Sequence, residues 1–578
     1  MVVLPTSIKL NIFSSFNFTY LSHSMQPIWK SLLKNKEQNF LKFDRFLFLG
    51  IALLIICGIK ICWNLQNYMD VVFWDESLYL HRGTCMFNFI PHDWGPSYSL
   101  WYKILSLFIS DKVQLYYFNF QLTTILISIA LFMLLLSCGV QRILSFMLAM
   151  FFLSSFINLP VWPRISHFCI IVVITGIIAA KHGKTTFIKF SIMSFAFLIC
   201  SYARPELFLP FLCCFILSIL SFLLKIKTRT KAEIAVLFTL LGLFAILFVF
   251  LKTPLNNGDS ARSLLVFLQH FAWNAAVWKS DHSPFWLDFN ESNKQYFSDV
   301  SSLSAIIHSN SAAFFHHIFF NLQHYILLTG KVVASFFLPV FTRDFHWLCL
   351  MVGIMFIVIY FSFGATSKNF LKRFIILIRS NLFTIFMLLL LLIPSVLICI
   401  YAYPRHHYIL LQVPFLLLLC AIALSSFNIE IDQPMHKIIV LAFIWFFVTP
   451  EAEDFEYYTL FRPQSSLNNL SAIKYIKNNF DTKDTIRVFD LEGGMTNLLP
   501  GNFVNYNYSY LKDRNKNSLS NFLITNKFNI IYKTPILTAL KSVQNDTILF
   551  DMLKYPEHYG YYKQKTGNFT DSLLIRKD

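Results

Sequence analysis

The sequence predicts an α-helical protein that crosses a membrane about eleven times and carries a small α/β domain at its C-terminal end. Hydrophobic side chains make up 56% of the 578 residues and charged side chains only 14%, whereas about a quarter of the residues in soluble proteins are charged. The apolar residues form blocks of about 18 to 20 residues, the length that a helix needs to cross the hydrocarbon core.

The predicted spans follow one another with basic loops on one side only. Placing the N-terminal segment, residues 1–45, in the cytoplasm also puts the basic clusters at residues 225–231 and 368–379 there. The odd number of spans then places the C-terminal domain, residues 451–578, outside. The transmembrane domain covers residues 46–450, with spans predicted at 46–63, 115–138, 143–160, 168–180, 186–202, 206–224, 232–251, 345–364, 382–401, 408–426 and 437–450.

Two long stretches between spans are expected outside, at residues 64–114 and 252–344. Within the second, residues 322–341 are apolar enough to cross the membrane, which would raise the count to twelve or thirteen. That count would move the basic cluster at 368–379 outside, so we interpret the segment as a helix lying along the membrane. His324 and Lys331 would then face the headgroups.

The C-terminal region alternates helical and strand patterns, which predicts a small α/β domain. We expect a helix over residues 470–479, a strand over 485–490, a turn at 492–494 and a strand over 529–532.

Charge and motifs exclude several functions. The net charge of +17 comes from basic residues between spans, so it indicates membrane topology rather than nucleic-acid binding. The sequence has no Walker A, GxSxG or HExxH pattern and no GxGxxG after a strand, so nucleotide-driven pumping and serine or zinc hydrolysis lack support. Its richness in Phe, Ile, Asn and Lys favours a bacterial plasma membrane.

The first long loop contains an adjacent carboxylate pair, Asp75-Glu76, flanked by Phe73, Trp74 and Tyr79. Neighbouring side chains point in different directions. One carboxylate would therefore act as a general base or ligate a divalent cation, while the other anchors the loop. The alternative is a solvated acidic loop without a role.

The same loop continues as His92-Asp93-Trp94-Gly95-Pro96-Ser97-Tyr98. Gly-Pro predicts a bend, and the aromatic residues after it suit a helix at the membrane interface. His92 and Asp93 would supply a second acidic or proton-shuttling position, unless Asp93 only caps a turn.

Two basic positions on the predicted external side are candidates for binding a phosphate. Arg204 lies in Arg204-Pro205-Glu206, and its alternative role is to pair with a nearby carboxylate. Arg405 begins Arg405-His406-His407, whose two histidines diverge and have no carboxylate close in sequence, so metal binding by them is disfavoured. Arg164 and His167 would join this surface or anchor the chain at the interface.

These motifs, in this order, resemble the GT-C superfamily of integral-membrane glycosyltransferases, which includes protein O-mannosyltransferases and the aminoarabinose transferase of lipid A. The Lys-Pro-Pro that some members carry in the first loop is replaced by Gly95-Pro96-Ser97, and residues 252–321 match no part of the pattern. The matching segments are Asp75-Glu76 with Tyr79, Gly95-Pro96-Ser97-Tyr98, Arg204-Pro205-Glu206, Pro404-Arg405-His406-His407-Tyr408 followed by Pro414, and Asp490 with Gly493-Gly494.

The resemblance implies an inverting transfer of a sugar from a polyprenyl-phosphate donor to an acceptor glycan, lipid or protein on the outer face of the membrane. Asp75 would be the base and Glu76 its support. The resemblance requires no nucleotide, and a divalent metal remains an open expectation. The expected substrate- and phosphate-binding residues are Arg204, Arg405, His406, His407, Tyr79, Asp93 and Tyr98.

Two other functions fit the same sequence. A transporter or flippase for lipid-linked sugars would share the aromatic residues and arginines, but would place ionisable residues deep within its spans. The predicted spans are almost free of such residues, which favours an enzyme. The remaining alternative is a non-catalytic membrane scaffold.

Overall fold

The structure is a computed structural model that describes residues 45–86, 95–155, 157–159, 162–255, 261–279, 293–297, 302–337, 370–427, 439, 467–481, 485–491, 493–501, 503–506, 519–566 and 571–577. The predicted N-terminal segment and the predicted spans 345–364 and 437–450 lie outside these residues, apart from Arg45 and Ile439. So do His92 and Asp93.

Between residues 45 and 427, the regular secondary structure of the described residues is helical. The α-helices are α1 (Arg45–Ile61), α2 (Asp75–Thr84), α3 (Pro96–Ser106), α4 (Lys112–Ser137), α5 (Arg142–Leu153), α6 (Ile165–Lys181), α7 (Thr186–Ala203), α8 (Phe208–Leu223), α9 (Lys231–Leu251), α10 (Ala261–Trp278), α11 (Leu303–Ser309), α12 (Ser311–Phe337), α13 (Phe370–Ser380), α14 (Leu382–Tyr401), α15 (His406–Ile409) and α16 (Val413–Ser425).

Within the described residues, seven helical segments are long and apolar enough to cross a membrane. This finding supports a helical membrane protein. The predicted number of eleven spans is not confirmed. The seven segments are Arg45–Asn67, Lys112–Ser137, Thr186–Ala203, Pro205–Leu223, Lys231–Leu251, Leu382–Tyr401 and His406–Ser425.

Two predicted spans are shorter as helices than their apolar sequence indicates. The block at 143–160 contains helix α5, which ends at Leu153 after 12 residues, or about 18 Å. The chain then turns, and Ser155 and Asn158 are buried rather than helical. The block at 168–180 forms α6, with 17 residues. Apolar composition alone does not distinguish a buried turn from the end of a span.

The first long loop is largely helical, because α2 and α3 both lie between α1 and α4. The predicted segment 322–341 forms the greater part of α12, a helix of 27 residues that begins at Ser311. This helix is not among the candidate spans, and its position along the membrane remains a prediction.

The C-terminal domain is a mixed α/β domain, as predicted. The predicted helix 470–479 is observed as α17 (Asn468–Asn479), and the two predicted strands are observed as β1 (Ile486–Phe489) and β3 (Ile530–Lys533). The remaining elements are β2 (Phe503–Tyr506), α18 (Leu519–Thr525), α19 (Pro535–Ala539), α20 (Lys541–Gln544), α21 (Thr547–Lys554), β4 (Tyr561–Lys565) and β5 (Ser572–Arg576).

The five strands form one sheet in the order β2-β1-β3-β5-β4. β1 is parallel to β2 and β3, while β5 is antiparallel to β3 and β4. Alternate residues of β3 face opposite sides of the sheet. Ile530 and Tyr532 belong to the apolar core that contains α17 and the membrane helices, and Ile531 packs in a second core with α21.

Candidate active site

Asp75 and Glu76 form the first turn of α2, where backbone N–H groups favour negative charge. The two side chains diverge, as the sequence predicted. Asp75 is half-buried, whereas only 2% of Glu76 is exposed. The two carboxylates therefore have different surroundings and different roles.

Glu76 is held by four hydrogen-bond donors from three other parts of the chain. Its Oε1 accepts from the Tyr98 hydroxyl at 2.6 Å, the Tyr102 hydroxyl at 2.5 Å and Asn119 Nδ2 at 3.1 Å. Its Oε2 accepts from the backbone N–H of Arg164 at 2.9 Å. Burial raises the pKa of Glu76, and the bonds from Tyr102, Tyr98 and Arg164 oppose that shift. Four donors and no acceptor match an ionised carboxylate.

This arrangement corrects one expectation from the sequence, the placement of the aromatic residues after Gly95 at the membrane interface. Glu76 is enclosed by protein groups and holds α2 against α3, α4 and the start of α6, so it cannot reach a substrate beside Asp75. Tyr98 was expected to bind substrate, and the aromatic residues after Gly95 were expected at the membrane interface. Tyr98 and Tyr102 are instead fully buried, and their hydroxyls are used by Glu76.

Replacing Glu76 by Gln tests this role. The amide of Gln would point an N–H₂ donor at one of the groups that now donate to Glu76, leaving buried donors without an acceptor. We expect Glu76→Gln to lower the free energy of unfolding by about 1–3 kcal/mol, measured by thermal unfolding of the purified protein in nanodiscs. Glu557→Gln, at an exposed residue of the C-terminal domain, is the control. Equal stability of Glu76→Gln and Glu557→Gln would contradict the structural role assigned to Glu76.

Tyr79 is also buried beside the site and packs against Tyr98. It is 4% exposed, and its ring lies 5.3 Å from the Tyr98 ring in an edge-to-face arrangement. Gly95 precedes α3 with φ of 62°, and a Cβ there would lie 2.6 Å from the Tyr79 ring. Only glycine therefore fits the bend that the sequence predicted. The expectation that Tyr79 binds substrate is not supported by this position.

The C-terminal domain binds the chain immediately before α2. Asp70 caps α17, because its Oδ2 accepts from Asn469 N at 3.1 Å and its Oδ1 from Leu470 N at 2.8 Å. Asn469 Nδ2 in turn donates to the carbonyl of Val71 at 2.8 Å. The first loop and the C-terminal domain thus lie at the same end of the helical bundle.

The contact continues along α2 itself. The Phe73 ring lies 6.1 Å from the Tyr532 ring, and a Cβ on Gly494 would lie only 1.6 Å from the Phe73 carbonyl oxygen. Asn497 Nδ2 donates to Ser77 Oγ at 3.2 Å. Asp75 therefore lies between two residues, Phe73 and Ser77, that the C-terminal domain holds in place.

Arg204 lies where the chain turns from α7 into α8, and it pairs with a nearby carboxylate, as one of the two sequence interpretations predicted. Its Nη1 pairs with Glu206 Oε1 at 2.8 Å, and its guanidinium lies 4.8 Å from the centre of the Tyr408 ring. The residue is 6% exposed, and its buried Nε has no hydrogen-bond partner among the described residues. Phosphate binding by Arg204 stays a prediction.

The three residues of the Arg405-His406-His407 segment differ in burial and in hydrogen bonding. His407 is 5% exposed, and its Nδ1 donates to the Trp162 carbonyl at 3.1 Å. Its own carbonyl accepts from Ser166 Oγ at 2.5 Å. Arg405 is half-buried, and within the described part of the chain no carboxylate forms an ion pair with it. His406 is half-buried too.

Tyr408 connects three of the predicted site residues. The Arg204 guanidinium lies 4.8 Å from the centre of its ring, and the charges of Asp75, Glu206 and Arg405 also act on its phenol. These residues come from three distant parts of the sequence. The candidate site therefore combines the Asp75 carboxylate with two guanidinium groups.

The sequence placed Arg164 on the phosphate-binding surface or at the membrane interface, but the residue is a buried structural cation. It is 1% exposed, and its Nη1 donates to the Asn158 carbonyl at 2.6 Å. Its Nε donates to Thr123 Oγ1 at 3.2 Å, and its Nη2 contacts Thr124 Oγ1. Two consecutive threonines inside an apolar span were the available signal, because polar groups there need partners.

No family model and no curated protein matches the chain. The described residues also contain no group of three or more His, Cys, Asp or Glu side chains that could hold a metal ion.

Proposed function

We propose that this protein is an integral-membrane glycosyltransferase that moves a sugar from a polyprenyl-phosphate donor to a hydroxyl group of an acceptor lipid, glycan or protein. The observation that carries the proposal is that the Arg204 guanidinium lies against the Tyr408 ring, while the charges of Asp75 and Arg405 act on the same phenol. A carboxylate that can accept a proton and two cations that can bind a phosphate are the groups that this reaction requires.

In the proposed reaction, the acceptor oxygen attacks the anomeric carbon of the donor from the side opposite the phosphate. The bond between that carbon and the phosphate oxygen breaks, and polyprenyl phosphate leaves with the bonding electrons. The acceptor proton passes to Asp75. Arg405 and Arg204 stabilise the negative charge that develops on the leaving phosphate. The configuration at the anomeric carbon is inverted, and no nucleotide takes part.

The position of Asp75 agrees with this role. It is half-buried at the beginning of a helix, so it can contact a substrate, and the helix N-terminus favours its negative charge. The hydrogen-bonded Glu76 immediately after it fixes the orientation of α2. The role of Glu76 in the proposal is therefore to position Asp75.

Arg405→Ala tests the phosphate-binding half of the proposal. Removing a charge-assisted contact to the donor should raise the apparent KM for the lipid donor by about 10- to 100-fold. The assay uses full-length protein in proteoliposomes that contain undecaprenyl-phosphate-linked glucose, mannose or arabinose, with a bacterial membrane extract as the source of acceptor. Consumption of each donor and release of undecaprenyl phosphate are measured by mass spectrometry.

Two further variants make the result specific. Arg405→Lys keeps the charge but loses the planar fork of donors, so we expect an intermediate KM. Arg487→Ala, at an exposed position of β1, should leave the KM unchanged. An Arg405→Ala protein with the wild-type KM would remove Arg405 from the donor site. Movement of the lipid across the bilayer without cleavage would favour a flippase instead.

A further inference from the structure

Helices α10 and α12 and the end of α14 enclose a group of buried polar side chains within an aromatic core. Asn274 and Asn321 are fully buried, and so is His317. The Phe267 ring lies 4.9 Å from the His317 ring and 5.6 Å from the Tyr401 ring. All of these residues except Tyr401 belong to the stretch 252–321, which matched no motif in the sequence.

Most of this polar group serves to hold the end of α14. Asn321 Nδ2 donates to the carbonyl groups of Ile400 and Ala402, each at 2.9 Å. His317 Nε2 lies 3.1 Å from the Tyr401 carbonyl, so it carries the proton and its Nδ1 accepts from Asn274 Nδ2 at 3.0 Å. The segment that leads to Arg405 is therefore fixed by these bonds.

Two hydrogen-bond acceptors on α10 take no part in the hydrogen bonds that hold the end of α14. His270 Nδ1 lies 2.7 Å from the Val266 carbonyl. Because a carbonyl can only accept, Nδ1 carries the proton and Nε2 presents a lone pair. Asn274 Nδ2 donates to Asn321 Oδ1 at 2.8 Å, which leaves Asn274 Oδ1 as an acceptor. Neither His270 Nε2 nor Asn274 Oδ1 has a partner among the described residues, and both atoms are buried.

The two acceptors lie on one face of α10, four residues apart, so they are neighbours on the helix surface. His270 is 7% exposed, and its ring stacks with the Tyr403 ring at 6.2 Å and an interplanar angle of 13°. The charge of Arg405 also acts on the His270 imidazole. His270 thus packs against Tyr403, two residues before the cation that binds the donor phosphate in the proposed function.

We propose that His270 and Asn274 form a sugar subsite that accepts hydrogen bonds from hydroxyl groups of the lipid-linked donor. This inference rests on the proposed function, with the donor phosphate on Arg405. Buried acceptors without partners call for a ligand that brings donors. A phosphate at neutral pH offers almost none, whereas a sugar offers several hydroxyl groups. The subsite would therefore distinguish a sugar-bearing lipid from the bare polyprenyl phosphate.

The test compares binding of undecaprenyl phosphate with binding of undecaprenyl-phosphate-linked glucose, mannose and arabinose. Full-length protein in nanodiscs is titrated with each lipid and examined by native mass spectrometry. We expect the wild-type protein to bind at least one sugar-bearing lipid more tightly than undecaprenyl phosphate. His270→Phe should reduce that preference by about tenfold, the effect of one or two lost hydrogen bonds, with undecaprenyl phosphate binding unchanged.

Two variants separate lost hydrogen bonding from lost structure. His270→Gln retains an acceptor near the Nε2 position and should keep most of the preference. His316→Phe, at an exposed histidine on α12, should keep all of it. A His270→Phe protein that retains the wild-type preference would overturn the subsite alone. A wild-type protein that binds none of the four lipids would overturn the proposed function together with it.

Discussion

Asp75→Asn is expected to abolish glycosyl transfer, with a fall in rate of about 100-fold or more. Asn has nearly the same shape as Asp but cannot take the acceptor proton. Asp75 is half-buried at the start of α2, and the adjacent Glu76 carboxylate keeps its own four donors. The variant should therefore fold normally and bind the donor lipid as the wild-type protein does. Donor consumption in proteoliposomes and native mass spectrometry measure the two properties.

The matched control for Asp75→Asn is Glu557→Gln, which removes a carboxylate from an exposed position of the C-terminal domain. It should leave the rate unchanged. Full activity of Asp75→Asn would contradict the assignment of Asp75 as the base. A loss of activity accompanied by loss of donor binding would show that Asp75 acts in binding or folding instead.

Gly494→Ala should have the second-largest effect, because the C-terminal domain contacts the chain beside Asp75 at this glycine. The added Cβ would lie 1.6 Å from the Phe73 carbonyl oxygen and 2.6 Å from Phe73 Cα. Backbone cannot move aside as a flexible side chain can, so α2 and the C-terminal domain must separate. We expect a loss of about 1–3 kcal/mol in the free energy of unfolding and a fall in transfer rate of about tenfold or more.

Hydrogen exchange distinguishes separation of the domain from general damage. Asp70 caps α17 only while the two parts are in contact, so amide exchange in residues 468–479 should accelerate in Gly494→Ala. Gly242→Ala is the control, because a Cβ there meets nothing within 4 Å. Wild-type exchange and wild-type activity in Gly494→Ala would show that the domain does not position Asp75.

The sequence predicted the fold well where one physical signal dominated. Long apolar blocks indicated the helices Lys112–Ser137 and Lys231–Leu251, because a membrane demands about 20 apolar residues in one run. The block at 143–160 was misjudged, because α5 ends at Leu153 and the following turn is buried in protein. Hydropathy measures transfer out of water and does not distinguish a lipid environment from a protein interior.

Of the candidate site, the sequence singled out Asp75, Arg204 and Arg405, whose charges act on the same phenol in the structure. Charge is unusual beside apolar spans, and it needs either a partner or a function. The residues alone could not show which of Asp75 and Glu76 is buried, since which of two neighbours faces inward depends on the helices packed around them. The burial of Tyr98 and Tyr79 was not predictable for a similar reason, because an aromatic side chain suits both a binding surface and a core.

The sequence predicted only that the first loop and the C-terminal domain lie on the same side of the membrane. It did not predict the contact between them. Its details depend on single groups such as the Asp70 carboxylate at the start of α17 and the missing side chain of Gly494. Neither forms a local pattern, since the partners lie about four hundred residues apart in the chain. The same holds for His270, whose proposed role rests on a buried nitrogen without a partner among the described residues rather than on its sequence neighbours.

The central claim is tested most directly by following the phosphate–sugar bond of the donor. Wild-type protein in proteoliposomes is supplied with the three undecaprenyl-phosphate sugars and the membrane extract, and the lipids are analysed by mass spectrometry. The account predicts that one donor is consumed, that undecaprenyl phosphate appears in equal amount, and that an acceptor gains the mass of one sugar. A donor that is bound or moved across the bilayer while its phosphate–sugar bond stays intact would contradict the account.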